Sequence, residues 1–158
     1  MTRTHQQPML DLRREGPLVI AEVGVDLAKH HATLAAGAVP RRHLVKFMID
    51  TGAELSFIYE AIAINLGLRP IRQQAIVGIS QRPETHTVYT ATLHLGFEKP
   101  APEIIPIPMA LAGMKERVAL PAFDGLLGRD FLASFDLAYS GPSNTFALRT
   151  ERDWPDAF

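Results

Sequence analysis

The sequence predicts one mostly β domain carrying one or two short helices. Three observations point there. Short apolar, β-branched runs recur along the chain and are cut by glycine or proline, as at Pro17, Gly78, Pro83 and Gly141-Pro142. Helical spacing of apolar residues is confined to two short segments, each directly after a strand-like run. The length of 158 residues suits one domain and is short for two. A domain of that size buries about 68–70% of its unfolded surface, so it needs neither a disulfide nor a metal to hold a core.

The elements follow in order. Residues 1–16 are polar, contain Pro8 and carry charges at Asp11, Arg13, Arg14 and Glu15, which reads as a flexible N-terminal arm. The run LVIAEVGV, residues 18–25, lies between Pro17 and Asp26 and is β-branched enough for a strand. Residues 28–42 contain Gly37 and Pro40, which argue for a long connection with room for one short element. Residues 43–50, HLVKFMID, form a second strand that runs straight into Thr51-Gly52. In residues 54–66, Leu55, Ile58, Ile62 and Leu66 recur at helical spacing, with Ser56 as a cap and Gly67 as a stop.

Residues 73–77 and 85–95 read as two strands joined by the hairpin tip GISQRPE. Residues 104–111 are apolar, but Pro106 and Pro108 confine them to an edge or irregular strand. Residues 126–135 pass from a buried strand end, LLG, into a short helix, RDFLASF. Residues 136–148 close as a hairpin around Gly141-Pro142-Ser143-Asn144. The domain therefore spans residues 17–150, and residues 151–158 are a tail in which Trp154 and Phe158 have no assigned role.

Composition excludes several functions. There is no cysteine, which removes thiol catalysis, a thiolate zinc site and a disulfide scaffold. A net charge of -1 gives no electrostatic footprint for nucleic acid or a membrane surface. The N-terminal segment lacks an apolar core of a secretion signal, and no apolar run approaches the roughly 20 residues of a spanning helix. A soluble chain compatible with a reducing cytosol is expected. Among the six histidines, His30-His31, His43, His86 and His94 show no HExxH or related ligand spacing, so no metal or cofactor is expected. Arg41-Arg42 reads as a solvated basic loop, and neither Ser56 nor Ser80 lies in a nucleophile elbow.

The chemistry centres on Asp50-Thr51-Gly52, set at the end of an apolar strand. Alone, such a tripeptide arises by chance in a chain this long about one time in twenty, and the bland reading is an ordinary turn. Further along stands Leu126-Leu127-Gly128-Arg129-Asp130. The combination FMIDTGAE…LLGRDFL resembles the retropepsins, single-domain aspartic peptidases of retroviruses and their cellular and bacterial relatives. The ending FDLAYSGPSNTFAL is similar to the bacterial branch. The resemblance covers roughly residues 43–148.

It implies a closed, barrel-like acid-protease fold that is homodimeric, with Asp50 as the catalytic carboxylate. Hydrolysis by activated water needs a base for the water and an acid for the carbonyl oxygen. Two adjacent carboxylates provide both, since they cannot both ionise and so share one proton. Only one Asp-Thr/Ser-Gly is present, so the second carboxylate has to come from Asp50 of another copy. By the same resemblance, Thr51 would bond across the dyad, while Gly52 and Ala53 would leave room for a substrate backbone. Leu127 and Gly128 would support the Asp50 loop from beneath, and Arg129 would pair with Glu54, with Asp130 adding support. Met48, Ala53, Val77, Gly78 and Leu126 would line the substrate cleft, with the 75–90 hairpin as its lid.

The tip of that hairpin lacks the glycine run of retroviral lids, and the 28–42 connection is longer than theirs. Two other readings stay open: a dimeric module that binds extended peptide by strand addition without cutting, and a small α/β domain in which Asp-Thr-Gly is only a turn. In the peptidase reading the partners are a second copy and a peptide or protein substrate.

Overall fold

The computed structural model describes residues 1–6, 12–78, 81–115 and 123–154. In chain order the elements are β1 (Arg3–Gln6), α1 (Leu12–Glu15), β2 (Leu18–Gly24), α2 (Leu27–Ala35), β3 (Arg42–Ile49), β4 (Phe57–Tyr59) and α3 (Glu60–Leu66). There follow β5 (Arg69–Val77), β6 (Pro83–Phe97), β7 (Glu103–Met114), β8 (Gly125–Leu127), α4 (Arg129–Leu132), β9 (Asp136–Ser140) and β10 (Thr145–Thr150).

Six strands close on themselves in the order β2-β3-β8-β4-β7-β6 and back to β2. The long strand β6 makes closure possible. One of its edges carries β7 from Val88 to Phe97. The other is divided, with β5 on Pro83–Thr90 and β2 on Thr92–His94. The barrel is filled, as small barrels are: Val19, Val23, Phe47, Leu93, Leu95, Leu111 and Leu127 are among its fully buried side chains. Each such residue contributes about 1.5–3 kcal/mol of burial, and a one-residue slip would turn a whole strand inside out.

Strand β8 is squeezed between β3 and β4, parallel to the first and antiparallel to the second. Gly125 makes this approach possible. A Cβ there would stand 2.5 Å from the Phe57 carbonyl oxygen and 2.7 Å from the Phe47 ring.

Several expectations are met. Gly67 ends α3 in the left-handed conformation at φ 63°. Among the described residues, Pro106 and Pro108 lie where β7 has β6 on one side only, because β4 joins β7 from Ala112 onward. The tip of the β5–β6 hairpin lies partly outside the described residues.

Two expectations are corrected, and a third, room for one short element in residues 28–42, is met by a helix. The N-terminal segment is not a free arm. Strand β1 pairs antiparallel with β10, which pairs with β9 in a second sheet, and Thr4 bridges to Lys99. Thr4 and His5 are buried, Arg3 meets Glu103 at 2.7 Å, and Leu12 joins the core. Backbone pairing, rather than apolar content, orders a polar strand, so hydropathy does not reveal it. The 28–42 connection holds a nine-residue helix, α2, capped where Asp26 Oδ1 accepts the Lys29 N–H at 3.0 Å. Gly37, at φ 75°, and Pro40 follow its end, so they stop the helix without preventing it. In residues 54–66 the helix is only α3; Phe57, Ile58 and Tyr59 form the strand that bridges β8 and β7. β-favouring residues won over a coincidental helical period because the barrel needs a strand there.

Candidate active site

Asp50 is the first residue beyond β3, at the end where β3 and β8 run parallel with Met48 opposite Leu126 and Ile49 opposite Leu127. The parallel ladder continues one step into the turn: the Asp50 N–H donates to the Leu127 carbonyl at 2.9 Å. The turn then closes on itself. The Ala53 N–H donates to the Asp50 carbonyl at 3.2 Å, and the Gly52 N–H donates to the Asp50 carboxylate Oδ1 at 2.9 Å. Asp50 stays half-buried while Thr51 and Gly52 are exposed. A carboxylate is thus held at a fixed angle by its own loop and left open to solvent on one side.

The 127–130 segment grips this turn from below. The Arg129 N–H donates to the Ala53 carbonyl at 2.9 Å, and the Asp130 N–H donates to the Glu54 carbonyl at 3.2 Å. The Arg129 guanidinium Nη1 donates to the carbonyls of Thr51 and Gly52, both at 3.0 Å. Gly128 is required by proximity, since a Cβ there would meet the Leu55 carbonyl oxygen at 2.7 Å and that of Ala53 at 2.8 Å. Leu127, Arg129 and Asp130 thus bond to residues 50–54, and Gly128 packs against the same backbone.

One expected contact is replaced. Arg129 does not pair with Glu54: no ion pair joins them among the described residues, and Glu54 is exposed. Two turn carbonyls converge on the guanidinium, a cation-to-dipole grip that needs no acidic partner.

The cleft candidates divide. Met48 and Leu126 are in register and both half-buried, on the strand face opposite the buried Phe47, Ile49 and Leu127. Phe57 is in register with Leu126 and continues the row. Met48 also lies against the N-terminal segment, its Sδ 2.8 Å from where a Gly16 Cβ would stand. Ala53 is half-buried within the turn. Val77, 64% exposed, and Gly78 stand at the far end of β5, and among the described residues no hydrogen bond ties them to the Asp50 loop. A cavity of about 520 Å³ is lined by Leu55, Met109, Phe131, Phe135 and Trp154 among others, but not by Asp50. Chemistry, rather than cavity size, locates the candidate site.

Ser56 is the residue that sequence reasoning misassigned. It caps no helix. It is fully buried, donates its hydroxyl to Asp130 Oδ1 at 2.7 Å and accepts the Gly128 N–H at 3.0 Å. Its own N–H donates to Asp130 Oδ2 at 3.0 Å. No local pattern announces a contact between residues this far apart in the chain.

A filled six-stranded barrel thus carries an Asp-Thr-Gly turn at a strand end and a Gly-Arg-Asp segment bonded to it. The chain belongs to the aspartyl protease family, whose model, described as "Aspartyl protease", matches residues 35–131. That span contains both the Asp50 turn and the Gly128-Arg129-Asp130 brace. Among solved structures, the chain is similar to a retropepsin-like aspartic protease from Rickettsia conorii, at 15% identity and a TM-score of 0.45, covering 95% of this chain and 94% of that one. Comparison with curated proteins gave no match. Among the described residues no helix is long and apolar enough to cross a membrane, and no group of three or more His, Asp or Glu could hold a metal.

Proposed function

We propose that the protein is an aspartic endopeptidase, active as a homodimer in which the Asp50 carboxylates of two copies face one another. The observation that carries this reading is the Asp50 turn: a single carboxylate, oriented by the Gly52 N–H and open on one side, in a loop braced by residues 127–130. One carboxylate cannot be both base and acid for the same step. Two side by side share a proton, so one takes a proton from water while the other protonates the carbonyl oxygen of the peptide bond. The two residues supply acid and base between them, which calls for no covalent intermediate and no cofactor. In the proposed dimer Thr51 meets its counterpart beside the dyad. Gly52 and Ala53 leave the approach to Asp50 low enough for an extended peptide backbone. In this reading Met48, Ala53 and Leu126 line the flanking pockets, and their apolar character favours hydrophobic side chains at the cut.

The test is digestion of a diverse peptide mixture between about pH 4 and 7 by the protein and by its Asp50→Asn variant. Cleavage by the first and none by the second supports the reading. Peptide binding without cleavage by either would replace it with that of a binding module.

A further inference from the structure

The Asp50 turn is held by two grips, and both belong to the residues flanking Gly128. On one side, the Leu127 carbonyl accepts the Asp50 N–H at 2.9 Å. On the other, Arg129 holds the Thr51, Gly52 and Ala53 carbonyls. The peptide between the two grips is fixed by a side chain. The Gly128 N–H donates to Ser56 Oγ at 3.0 Å, and that hydroxyl passes its own hydrogen to Asp130 Oδ1 at 2.7 Å. A serine hydroxyl can donate one hydrogen bond while accepting another, which alanine cannot.

Asp130 completes the clasp. Its Oδ1 also accepts the Phe131 N–H at 2.8 Å, and its Oδ2 accepts the Ser56 N–H at 3.0 Å. All three donors face a carboxylate, and such charge-assisted bonds are the stronger kind. The clasp is anchored to the barrel as well, because the Ser56 carbonyl accepts the Ala112 N–H of β7 at 2.9 Å. Asp130 has its outer side in solvent, whereas Ser56 is 0% exposed. Ser56 therefore links the barrel wall, through its carbonyl, to the α4 start and the peptide between both grips, through its buried hydroxyl.

We propose that Ser56, with Asp130 behind it, is a positioning residue for Asp50: the Ser56 hydroxyl sets the orientation of Gly128 and, through it, of the Asp50 carboxylate. The proposal rests on the peptidase reading for its kinetic consequence. It does not rest on it for its structural one. Ser56 touches no reacting atom. Its effect is on where the Asp50 carboxylate stands relative to its twin and to water. Misplacement of a reacting group by about 1 Å costs on the order of 100-fold in rate.

The experiment compares Ser56→Ala, Ser56→Thr and Asp130→Asn with the unmodified protein. Peptide cleavage is read as kcat and KM across pH, and exchange of the Asp50, Ala53, Gly128 and Arg129 amides is followed by NMR against the barrel amide of Leu93. Ser56→Ala is expected to lower kcat about 10- to 100-fold with KM changed by no more than about twofold, and to bring the acid and alkaline limbs of the kcat profile closer together. Ser56→Thr, which keeps the hydroxyl, restores most of the loss. In Ser56→Ala the four loop amides exchange about tenfold faster while Leu93 does not change. Asp130→Asn turns an amide N–H toward a donor and gives the same pattern more weakly.

Unchanged kcat and pH profile in a cleaving Ser56→Ala protein would overturn the proposal. So would a uniform rise in exchange that includes Leu93, since that assigns Ser56 to the core alone. If the unmodified protein cleaves nothing, the peptidase reading falls, and the loop exchange still decides whether the clasp holds Asp50.

Discussion

Gly128 offers the sharpest test of how the turn is braced. An alanine there would place its Cβ 2.7 Å from the Leu55 carbonyl oxygen and 2.8 Å from the Ala53 carbonyl oxygen. A relaxed carbon-to-oxygen contact is about 3.3–3.6 Å, so one segment has to retreat by about half an ångström or more. Both obstacles are backbone, and no side-chain rotation relieves them. Overpacking of this kind costs about 1–3 kcal/mol. Retreat of the 53–55 backbone also lengthens the Arg129 N–H bond to Ala53, which adds about 0.5–1.5 kcal/mol. The expected loss is roughly 2–4 kcal/mol, or a Tm lower by about 5–15 °C at the roughly 2–4 °C per kcal/mol of a chain this size. Peptide cleavage should fall by about 100-fold, because the displaced backbone is the one that carries Asp50. The control is Gly141→Ala: that position has open space and an ordinary φ, so the change should stay within about 0.5 kcal/mol. Thermal unfolding of the two variants beside the parent decides the matter. A Gly128→Ala protein that melts with the Gly141→Ala control would refute the bracing.

Three further predictions follow. Arg129→Ala should reduce cleavage while Glu54→Ala does not, and in a double-mutant cycle the two should be additive within about 0.5 kcal/mol, since Arg129 holds carbonyls rather than Glu54; a coupling above about 1 kcal/mol would restore the ion pair. His94 is buried beside His30, and its pKa is pushed down from 6.5 to about 4, by burial first and then by Arg42 and His30, with Glu22 opposing. The unfolded chain therefore takes the proton first: stability is complete above about pH 6.5 and is lost as pH falls through about 4, by up to ~3 kcal/mol, and His94→Gln should flatten that part of a denaturant-midpoint profile. Asp26→Ala removes the cap of α2 and should cost about 1 kcal/mol in urea unfolding with no change in cleavage.

Much of the fold was legible because it follows from local chemistry. Gly67 announces the end of α3, and the Pro106-Pro108 pair marks a strand with one free side. The apolar strand running into Asp50-Thr51-Gly52 and the Leu-Leu-Gly-Arg-Asp run pointed, through their resemblance to the retropepsins, to the two segments that the structure brings together. What stayed hidden depends on partners far along the chain. Strand β1 is polar and is ordered by bonding to β10, so its hydropathy says nothing. Strand β4 is three residues long and lies inside an accidental helical period. The acceptors of Arg129 are backbone carbonyls, which exist at every residue and leave no mark in a sequence. Ser56 resembled a helix cap because a cap and a buried clasp use the same hydroxyl, and its partner Asp130 lies 74 positions away.

In the proposed dimer two Asp50 side chains from two copies form one site, which a mixing experiment puts to the test. Unmodified and Asp50→Asn protein are combined at fixed total concentration, allowed to exchange subunits, and assayed for peptide cleavage. Shared sites predict activity that follows the square of the unmodified fraction, so an equal mixture keeps about one quarter. A linear decline, with about one half remaining, would mean that each chain works alone and would contradict the account.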